Sequence, residues 1–81
     1  MNKLKPLSKK AKAFRLGDYE HYKGYKYKAL FVGRHSETLE EMVIYQGQYK
    51  DKPIWTRPLK MFIGEVDVNG KKVPRFKYIG R

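Results

Sequence analysis

The chain contains no cysteine and no long apolar run. Without cysteine no disulfide can form, and small secreted domains usually depend on disulfides, so a reducing compartment is expected. A helix that spans a bilayer needs about 20 mostly apolar residues, and the basic N-terminus lacks the apolar region and cleavage site of a signal peptide. We therefore expect a cytoplasmic protein without a membrane span.

Acidic residues are scarce, with 8 against 19 lysines and arginines, and the net charge is +11. Residues 1–15 hold no acid and carry six basic side chains: Lys3, Lys5, Lys9, Lys10, Lys12 and Arg15. A strong positive field attracts nucleic acid, anionic membrane and acidic proteins without choosing among them. The basic N-terminus therefore indicates either electrostatic support for nucleic-acid binding or a solvated tail.

Aromatic residues are abundant, at 15% of the 81 residues. A domain of this length buries only about 60% of the surface that its unfolded chain exposes, so one thin core is expected. Aromatic rings pack well on a pleated sheet, whereas disordered chains contain few of them. The composition therefore favours a small β domain.

Short strands are predicted throughout residues 18–81. Apolar and polar side chains alternate from Tyr25 to Phe31 with the period of a half-buried strand, and Asn69-Gly70 is a strong hairpin signal. The five predicted strands lie at about 25–31, 42–49, 54–57, 66–68 and 73–79. We predict a mostly β fold of about five strands, a small SH3-like barrel or a strongly bent sheet, either of which buries one apolar face. The aromatic residues assigned to its core are Tyr27, Phe31, Phe62 and Phe76.

Residues 1–17 have a different pattern. Leu4, Leu7, Ala11 and Phe14 have the spacing of one apolar stripe along a helix. A basic amphipathic helix can dock on a membrane surface or a partner, but about eleven residues alone are marginally helical in water. We assign 1–17 as a basic N-terminal extension, either a tail or a short helix, and 18–81 as the SH3-like β domain.

The densest polar cluster is Arg34-His35-Ser36-Glu37-Thr38. It is either a recognition loop, whose arginine binds a carboxylate or phosphate, or a structural staple. In the second interpretation Arg34 or Arg57 pairs with Glu37, and the two hydroxyl groups bond to nearby backbone. Thr38 and Glu41 are three residues apart, the spacing of a capping box, which predicts one short helical turn there.

Four segments resemble the bacterial family labelled domain of unknown function 1653. They are Tyr19-Glu20-His21-Tyr22-Lys23-Gly24, Arg34-His35-Ser36-Glu37-Thr38, Trp55-Thr56-Arg57-Pro58 with Met61-Phe62, and Pro74-Arg75-Phe76. The resemblance covers about residues 18–79 and implies a fold similar to an SH3-type barrel. It implies no activity, substrate or catalytic residue, and the N-terminal extension lies outside it.

No residue pattern favours catalysis. His35 and Ser36 are sequence neighbours whose side chains point to opposite faces of an extended chain, so they do not form a nucleophile–base pair. His21, His35 and Glu37 lack the paired spacing of metal ligands, and the glycines are scattered. We expect no cofactor and no metal, and a small enzyme or metabolite binder centred on His35 and Glu37 remains an alternative.

Aromatic and basic residues are interleaved along the β region, a combination with which small barrels bind single strands. Our first hypothesis is a binding module for an anionic ligand such as RNA or single-stranded nucleic acid. The alternative partner is a protein, held as a peptide in an aromatic groove between Trp55 and Tyr45. The oligomeric state is left open. The candidate ligand-binding residues are Tyr22, Arg34, His35, Glu37, Tyr45, Trp55 and Arg57.

Overall fold

A computed structural model describes residues 4–81, so Lys3 of the basic extension lies outside the described residues. About half of the described residues lie in strands, as the mostly β prediction requires. In chain order the elements are α1 (Lys9–Ala13), β1 (Gly17–His21), β2 (Lys26–Arg34), β3 (Glu41–Gly47), β4 (Ile54–Pro58), α2 (Leu59–Phe62), β5 (Glu65–Val68), β6 (Lys71–Pro74) and β7 (Phe76–Gly80). Neither described helix is long and apolar enough to cross a membrane.

The strands form two antiparallel sheets. Five of them pair in the order β4-β3-β2-β1-β7, and β5 pairs with β6 in a separate hairpin. Within residues 4–81 the edge strands β4 and β7 do not pair with each other, so the strands do not form a closed barrel, which was one of the two predicted forms of the sheet. The inner face of the open sheet is covered instead by α1 and α2, whose Ala11, Leu59 and Phe62 are buried.

Two features of the chain raise the strand count above the predicted five. The first is β1, which the sequence pattern did not predict because charged Asp18 and Glu20 flank its one buried residue, Tyr19. Salt bridges to β2 support this strand, with Lys26 Nζ lying 3.3 Å from Glu20 Oε2. The second is an interruption of the predicted strand 73–79 at Arg75, whose backbone N–H donates to the carbonyl of Gly64.

The predicted hairpin turn at Asn69-Gly70 is present between β5 and β6. Both residues have positive φ, 53° and 82°, as a type I′ turn requires. The Asp67 carboxylate accepts the Gly70 N–H at 2.9 Å. The β5–β6 hairpin therefore has the register that the sequence indicates.

Phe62 is the centre of the core. Its ring is 1% exposed and stacks on Phe76 with centroids 4.0 Å apart and planes at 3°. The rings of Tyr19 and Tyr45 meet it edge-on at 5.1 and 5.2 Å. The predicted core assignment therefore holds for Phe62 and Phe76, and the half-buried Tyr27 packs against the same cluster.

Phe31 is not a core residue, contrary to the sequence prediction. The β2–β3 register shifts between Ala29 and Phe31, which marks a β-bulge. One extra residue in a strand turns the following side chains to the opposite face. Phe31 therefore points to solvent with 64% of its surface exposed, and Val32 packs against the core instead.

Much of the N-terminal extension packs on this core. Ser8 caps α1, Ala11 is 5% exposed, and the Phe14 ring stacks on Tyr19 at 5.6 Å. Leu4, the first residue of the predicted apolar stripe, is 55% exposed and lies before the helix. The extension thus contributes apolar side chains to the fold.

The capping box predicted at Thr38 and Glu41 is absent, and the single helical turn of this segment lies earlier, where the Leu39 N–H donates to the His35 carbonyl at 2.9 Å. Glu41 is the first residue of β3, and the preceding segment is a turn. Its carboxylate accepts both the backbone N–H and the hydroxyl of Ser8, each at 2.7 Å. The side chain that was expected to cap a local helix therefore holds the start of α1, 33 residues away in sequence.

Candidate functional site

The Arg34–Thr38 cluster forms the turn between β2 and β3, and most of its polar groups bond within the protein. One guanidinium nitrogen of Arg34 donates to the Lys5 carbonyl at 2.7 Å. His35 Nδ1 accepts backbone N–H groups from Glu37 and Thr38 at 3.0 and 3.2 Å. The contacts at this end of the sheet shape a turn and hold the N-terminal extension.

The Glu37 carboxylate takes no part in these contacts. Among the described residues it makes neither the ion pair with Arg34 or Arg57 that a staple would need nor any other hydrogen bond. The Thr38 hydroxyl does bond locally, because it accepts the Glu40 N–H at 3.2 Å. The turn is thus held by histidine and threonine acceptors rather than by an arginine–carboxylate pair.

The Ser8–Glu41 contact depends on pH. The hydrogen bonds from Ser8 and the nearby Arg34 charge lower the pKa of Glu41 below its ordinary value of 4.5. A carboxyl with a lowered folded-state pKa stabilises the fold above its ordinary pKa, and this contribution is lost as pH falls through the folded-state value. The docking of α1 therefore weakens in acid.

We expect Glu41→Gln to lower the melting temperature at pH 7 and to have a smaller effect as pH falls below about 4.5. The matched control is Glu37→Gln, which removes the same charge from a carboxylate without a described partner. Thermal unfolding followed by circular dichroism between pH 7 and pH 3 checks this. Equal pH profiles for the two variants would show that the Ser8 contact does not stabilise the fold.

The opposite end of the sheet carries exposed aromatic rings. Trp55 on β4 is 48% exposed, and Tyr25 and Tyr22 in the β1–β2 turn are 57% and 40% exposed. The nine residues of β2 separate this end from the Arg34 turn by about 27 Å at a rise of 3.4 Å per residue. Tyr22 therefore lies far from Arg34, His35 and Glu37. The backbone of Arg57 is closer to the Arg34 turn, because it pairs with Val43, two residues from Glu41 on β3.

Tyr49 joins the exposed rings. Its hydroxyl accepts the indole N–H of Trp55 at 3.1 Å, and its ring meets Tyr25 and Tyr27 edge-on at 5.9 and 5.6 Å. A Cβ atom on Gly47 would lie 2.5 Å from the Tyr49 ring, so the absence of a side chain there makes room for it. These contacts connect Trp55 and Tyr25 through Tyr49, whereas the Tyr22 ring packs on His21 with centroids 4.5 Å apart.

Arg57 lies beside this surface. It follows Trp55 by two residues on β4, so both side chains lie on the inner face of the sheet. Its Nε donates to the Tyr45 hydroxyl at 3.0 Å, and its Cζ lies 5.7 Å from the ring centroid of Phe76. Tyr45 itself is 3% exposed, so it positions Arg57 and does not line an open groove with Trp55.

His21 lies among the positive charges at this end of the sheet. Burial lowers its pKa below the ordinary 6.5, and the positive charges of Arg57, Lys23 and Arg75 lower it further. Its Nδ1 accepts the Lys23 N–H at 3.1 Å, which leaves the ring proton on Nε2. A neutral imidazole donor thus lies among three cations.

A groove opens beside His21 between β1, β6 and β7. Its volume is about 320 Å³, and Tyr22, Val73 and Pro74 are among the residues that line it. Burial and a hydrogen bond to Tyr49 raise the pKa of nearby Tyr27 to about 12, so this hydroxyl stays uncharged at neutral pH. The surface therefore combines rings, neutral hydroxyl groups and positive charge.

The family model described as protein of unknown function (DUF1653) matches residues 17–78 of the chain. The chain belongs to this family. A crystal structure of a DUF1653 protein from Bordetella bronchiseptica is similar to this structure, with a TM-score of 0.80 and 40% sequence identity over 86% of this chain and 92% of that chain. No curated protein matches the sequence. The resemblance drawn from the sequence is confirmed.

In this DUF1653 domain, three of the four segments that carried the resemblance meet at the aromatic end of the sheet. His21 and Tyr22 come from the first, Trp55 and Arg57 from the third, and Arg75 from the last. Sequence reasoning named Tyr22, Trp55 and Arg57 as candidate site residues but did not include His21 or Arg75. The sequence feature that could have identified these two residues is their place within the segments that resemble the family.

Proposed function

We propose that this DUF1653 domain is a non-enzymatic binding module for single-stranded nucleic acid, RNA in the first place. The binding surface is the aromatic end of the sheet, with Trp55, Tyr22 and Tyr25 as stacking rings. Arg57 and Lys23 supply charge for the sugar–phosphate backbone. Proteins that bind single strands combine these two features, because every base has a π-face and every phosphate a negative charge.

The observation that carries this proposal is the pairing of Trp55 with Arg57 on one strand face. Half of the Trp55 side chain is exposed to solvent, and its indole N–H donates to the Tyr49 hydroxyl. Because of this hydrogen bond, the ring keeps one orientation in which a base can stack on it. Arg57 is fixed by Tyr45 and makes no ion pair within residues 4–81. A stacking ring and an unneutralised cation held side by side suit a nucleotide better than an apolar peptide.

The contacts of the other predicted residues also support this choice of surface. Arg34 already donates to a carbonyl and His35 Nδ1 already accepts two N–H groups, so fewer of their polar atoms are available to a ligand. Tyr45 is buried, which leaves Trp55 without a second exposed ring for a peptide groove between them. The alternatives built on those residues have less geometric support.

The test is a titration of the full chain with poly(U) at low and near-physiological salt. Trp55 is the single tryptophan of the chain, so its intrinsic fluorescence reports directly from the proposed surface. Heparin, a polyanion without bases, serves as the comparison ligand. We expect poly(U) to quench Trp55 saturably with an affinity that falls as salt rises, and heparin to cause no comparable quenching. Equal responses to both polymers would reject base stacking.

Trp55→Ala is expected to weaken poly(U) binding about 10- to 100-fold, since stacking on one aromatic ring contributes about 1–3 kcal/mol per base. Fluorescence anisotropy of labelled oligouridine measures the affinity of this variant, which has no tryptophan fluorescence of its own. Phe31→Ala is the matched control, because Phe31 is an aromatic residue that is exposed on the opposite face of the sheet. Similar losses for the two variants would place the binding surface elsewhere.

A further inference from the structure

The open edges of the sheet approach each other at the aromatic end. β4 and β7 are the two edges of the five-stranded sheet, yet Arg57 of β4 lies over the ring of Phe76 at the start of β7. The sheet is therefore curled so strongly that side chains bridge the gap that a closed barrel would fill with backbone hydrogen bonds. Arg75 immediately precedes Phe76 in the chain, and its charge, like that of Arg57, acts on His21.

The two arginines at this gap have unused donors. Arg57 uses Nε for the Tyr45 hydroxyl, and its terminal nitrogens have no hydrogen-bond partner among the described residues. Arg75 Nε is buried and has no partner in the part of the chain that the structure describes. A buried N–H without an acceptor costs free energy, and an acceptor supplied by a ligand would offset this cost once the Arg75 side chain shifts to admit it.

Positive charge at the gap is also uncompensated. The described ion pairs engage Lys26, Lys28 and Lys60, and none engages either arginine. The three charged groups that lower the pKa of His21 are the side chains of Arg57, Lys23 and Arg75, and all three are positive. Arg57 and Arg75 thus supply donors beside a neutral histidine, and the carboxylate that lines the groove next to His21, that of Glu20, is paired with Lys26.

We infer that Arg57 and Arg75 together hold one phosphate group in the gap between β4 and β7, beside His21. This inference deepens the proposed function and rests on it in assigning the phosphate to a nucleic-acid strand. Arginine is suited to this task because its planar fork matches the oxygens of phosphate. A phosphate group, with more oxygens than a carboxylate, can accept from two guanidinium groups at once.

The site places the phosphate near the stacking rings. Arg57 and Trp55 are two residues apart on β4, a spacing of about 7 Å along a strand. A nucleotide whose base stacks on Trp55 would therefore bring a phosphate within reach of Arg57. Arg75 then acts on the same phosphate from the opposite edge of the sheet.

The first experiment uses inorganic phosphate as the probe and the intact chain at fixed pH and ionic strength, with chloride as the reference anion. The chain has two histidines, His21 and His35, so their Cε1 proton resonances can be followed separately by NMR. We expect phosphate to move the His21 resonance saturably and to leave that of His35, at the other end of the sheet, unchanged. Equal movement of both resonances, or of neither, overturns the inference.

The second experiment replaces each arginine by lysine, which keeps the charge and removes the fork. Arg57→Lys and Arg75→Lys are each expected to weaken phosphate binding at least tenfold in the same NMR titration. Arg81→Lys, the same change at an exposed terminal residue, is the matched control and should bind as the unmodified chain does. If Arg75→Lys does not fold, the Arg57→Lys result and the unmodified chain still decide the outcome. Unchanged affinity in Arg57→Lys overturns the inference.

Two small nucleotides distinguish the source of the phosphate. Uridine 5′-monophosphate carries a terminal phosphate monoester, and the dinucleotide UpU carries only an internal diester. Tighter binding of UpU, with quenching of Trp55, assigns the site to the backbone of a strand, whereas tighter binding of the monophosphate assigns it to a strand end. Phosphate binding without poly(U) binding would reject the proposed function and keep the oxyanion site. Poly(U) binding with a His21 resonance insensitive to phosphate would reject the site and keep the proposed function.

Discussion

Phe62→Ala is expected to lower the free energy of unfolding by about 3–5 kcal/mol, because it removes a fully buried ring. Phe62 is 1% exposed, stacks on Phe76 and meets the rings of Phe14, Tyr19 and Tyr45. A chain of this length has a total stability of about 4–12 kcal/mol, so the substitution removes at least about a quarter of it, and all of it at the lower end of that range. Urea unfolding followed by near-ultraviolet circular dichroism measures the loss.

Two further variants make this result interpretable. Phe62→Leu keeps most of the volume and is expected to lose less than about 2 kcal/mol, so it gives a measurable transition if the alanine variant does not fold. Phe31→Ala removes an equally large ring that is 64% exposed, and is expected to change stability by about 0.5 kcal/mol or less. A loss for Phe31→Ala as large as that for Phe62→Ala would contradict the bulge in β2.

The contrast between these two phenylalanines shows how far periodicity predicts a core. Alternation from Tyr25 onwards correctly placed Tyr27 and Ala29 on the inner face. A bulge adds one residue and reverses the alternation after it, and nothing in the local residue types marks the position of this one. Phe31 was misassigned for this reason, although the strand itself was predicted.

Strand count and closure depended on interactions that are remote in sequence. Tyr19 is buried because β1 pairs with both β2 and β7, which come later in the chain. A sheet closes into a barrel when its two edge strands, here β4 and β7, form backbone hydrogen bonds with each other. The alternation of apolar and polar residues within each strand is the same in an open sheet and in a closed barrel. The sequence therefore indicated a thin, curled β domain without deciding its closure.

The candidate site shows the same limit. The most polar segment, Arg34–Thr38, was a candidate binding site because its polar residues are adjacent in sequence. In the structure most of its hydrogen bonds stabilise a turn. Trp55 and Arg57 were predicted as site residues because aromatic and basic residues are interleaved along the β region. His21 and Arg75 join them only through the curl of the sheet, a long-range effect that hydrophobic periodicity does not encode.

Removal of residues 1–15 is expected to destabilise the β domain and not merely to remove charge. The deletion takes away the buried Ala11 and the Phe14 ring that packs on Tyr19 and Phe62, and it leaves the Glu41 carboxylate without Ser8. Loss of one such ring from a core costs about 3 kcal/mol or more. For a domain of this size this corresponds to a fall in melting temperature of about 15 °C.

The matched control keeps α1 and removes its charge. Lys9, Lys10 and Lys12 are exposed on the helix, so the triple change of these lysines to glutamine should leave the melting temperature within about 3 °C. Differential scanning calorimetry of both variants at equal salt measures the two effects separately. If the deleted chain melts like the full one, α1 is not part of the core. If instead it melts early while the glutamine variant does not, only the glutamine variant can test how charge in the extension contributes to nucleic-acid affinity.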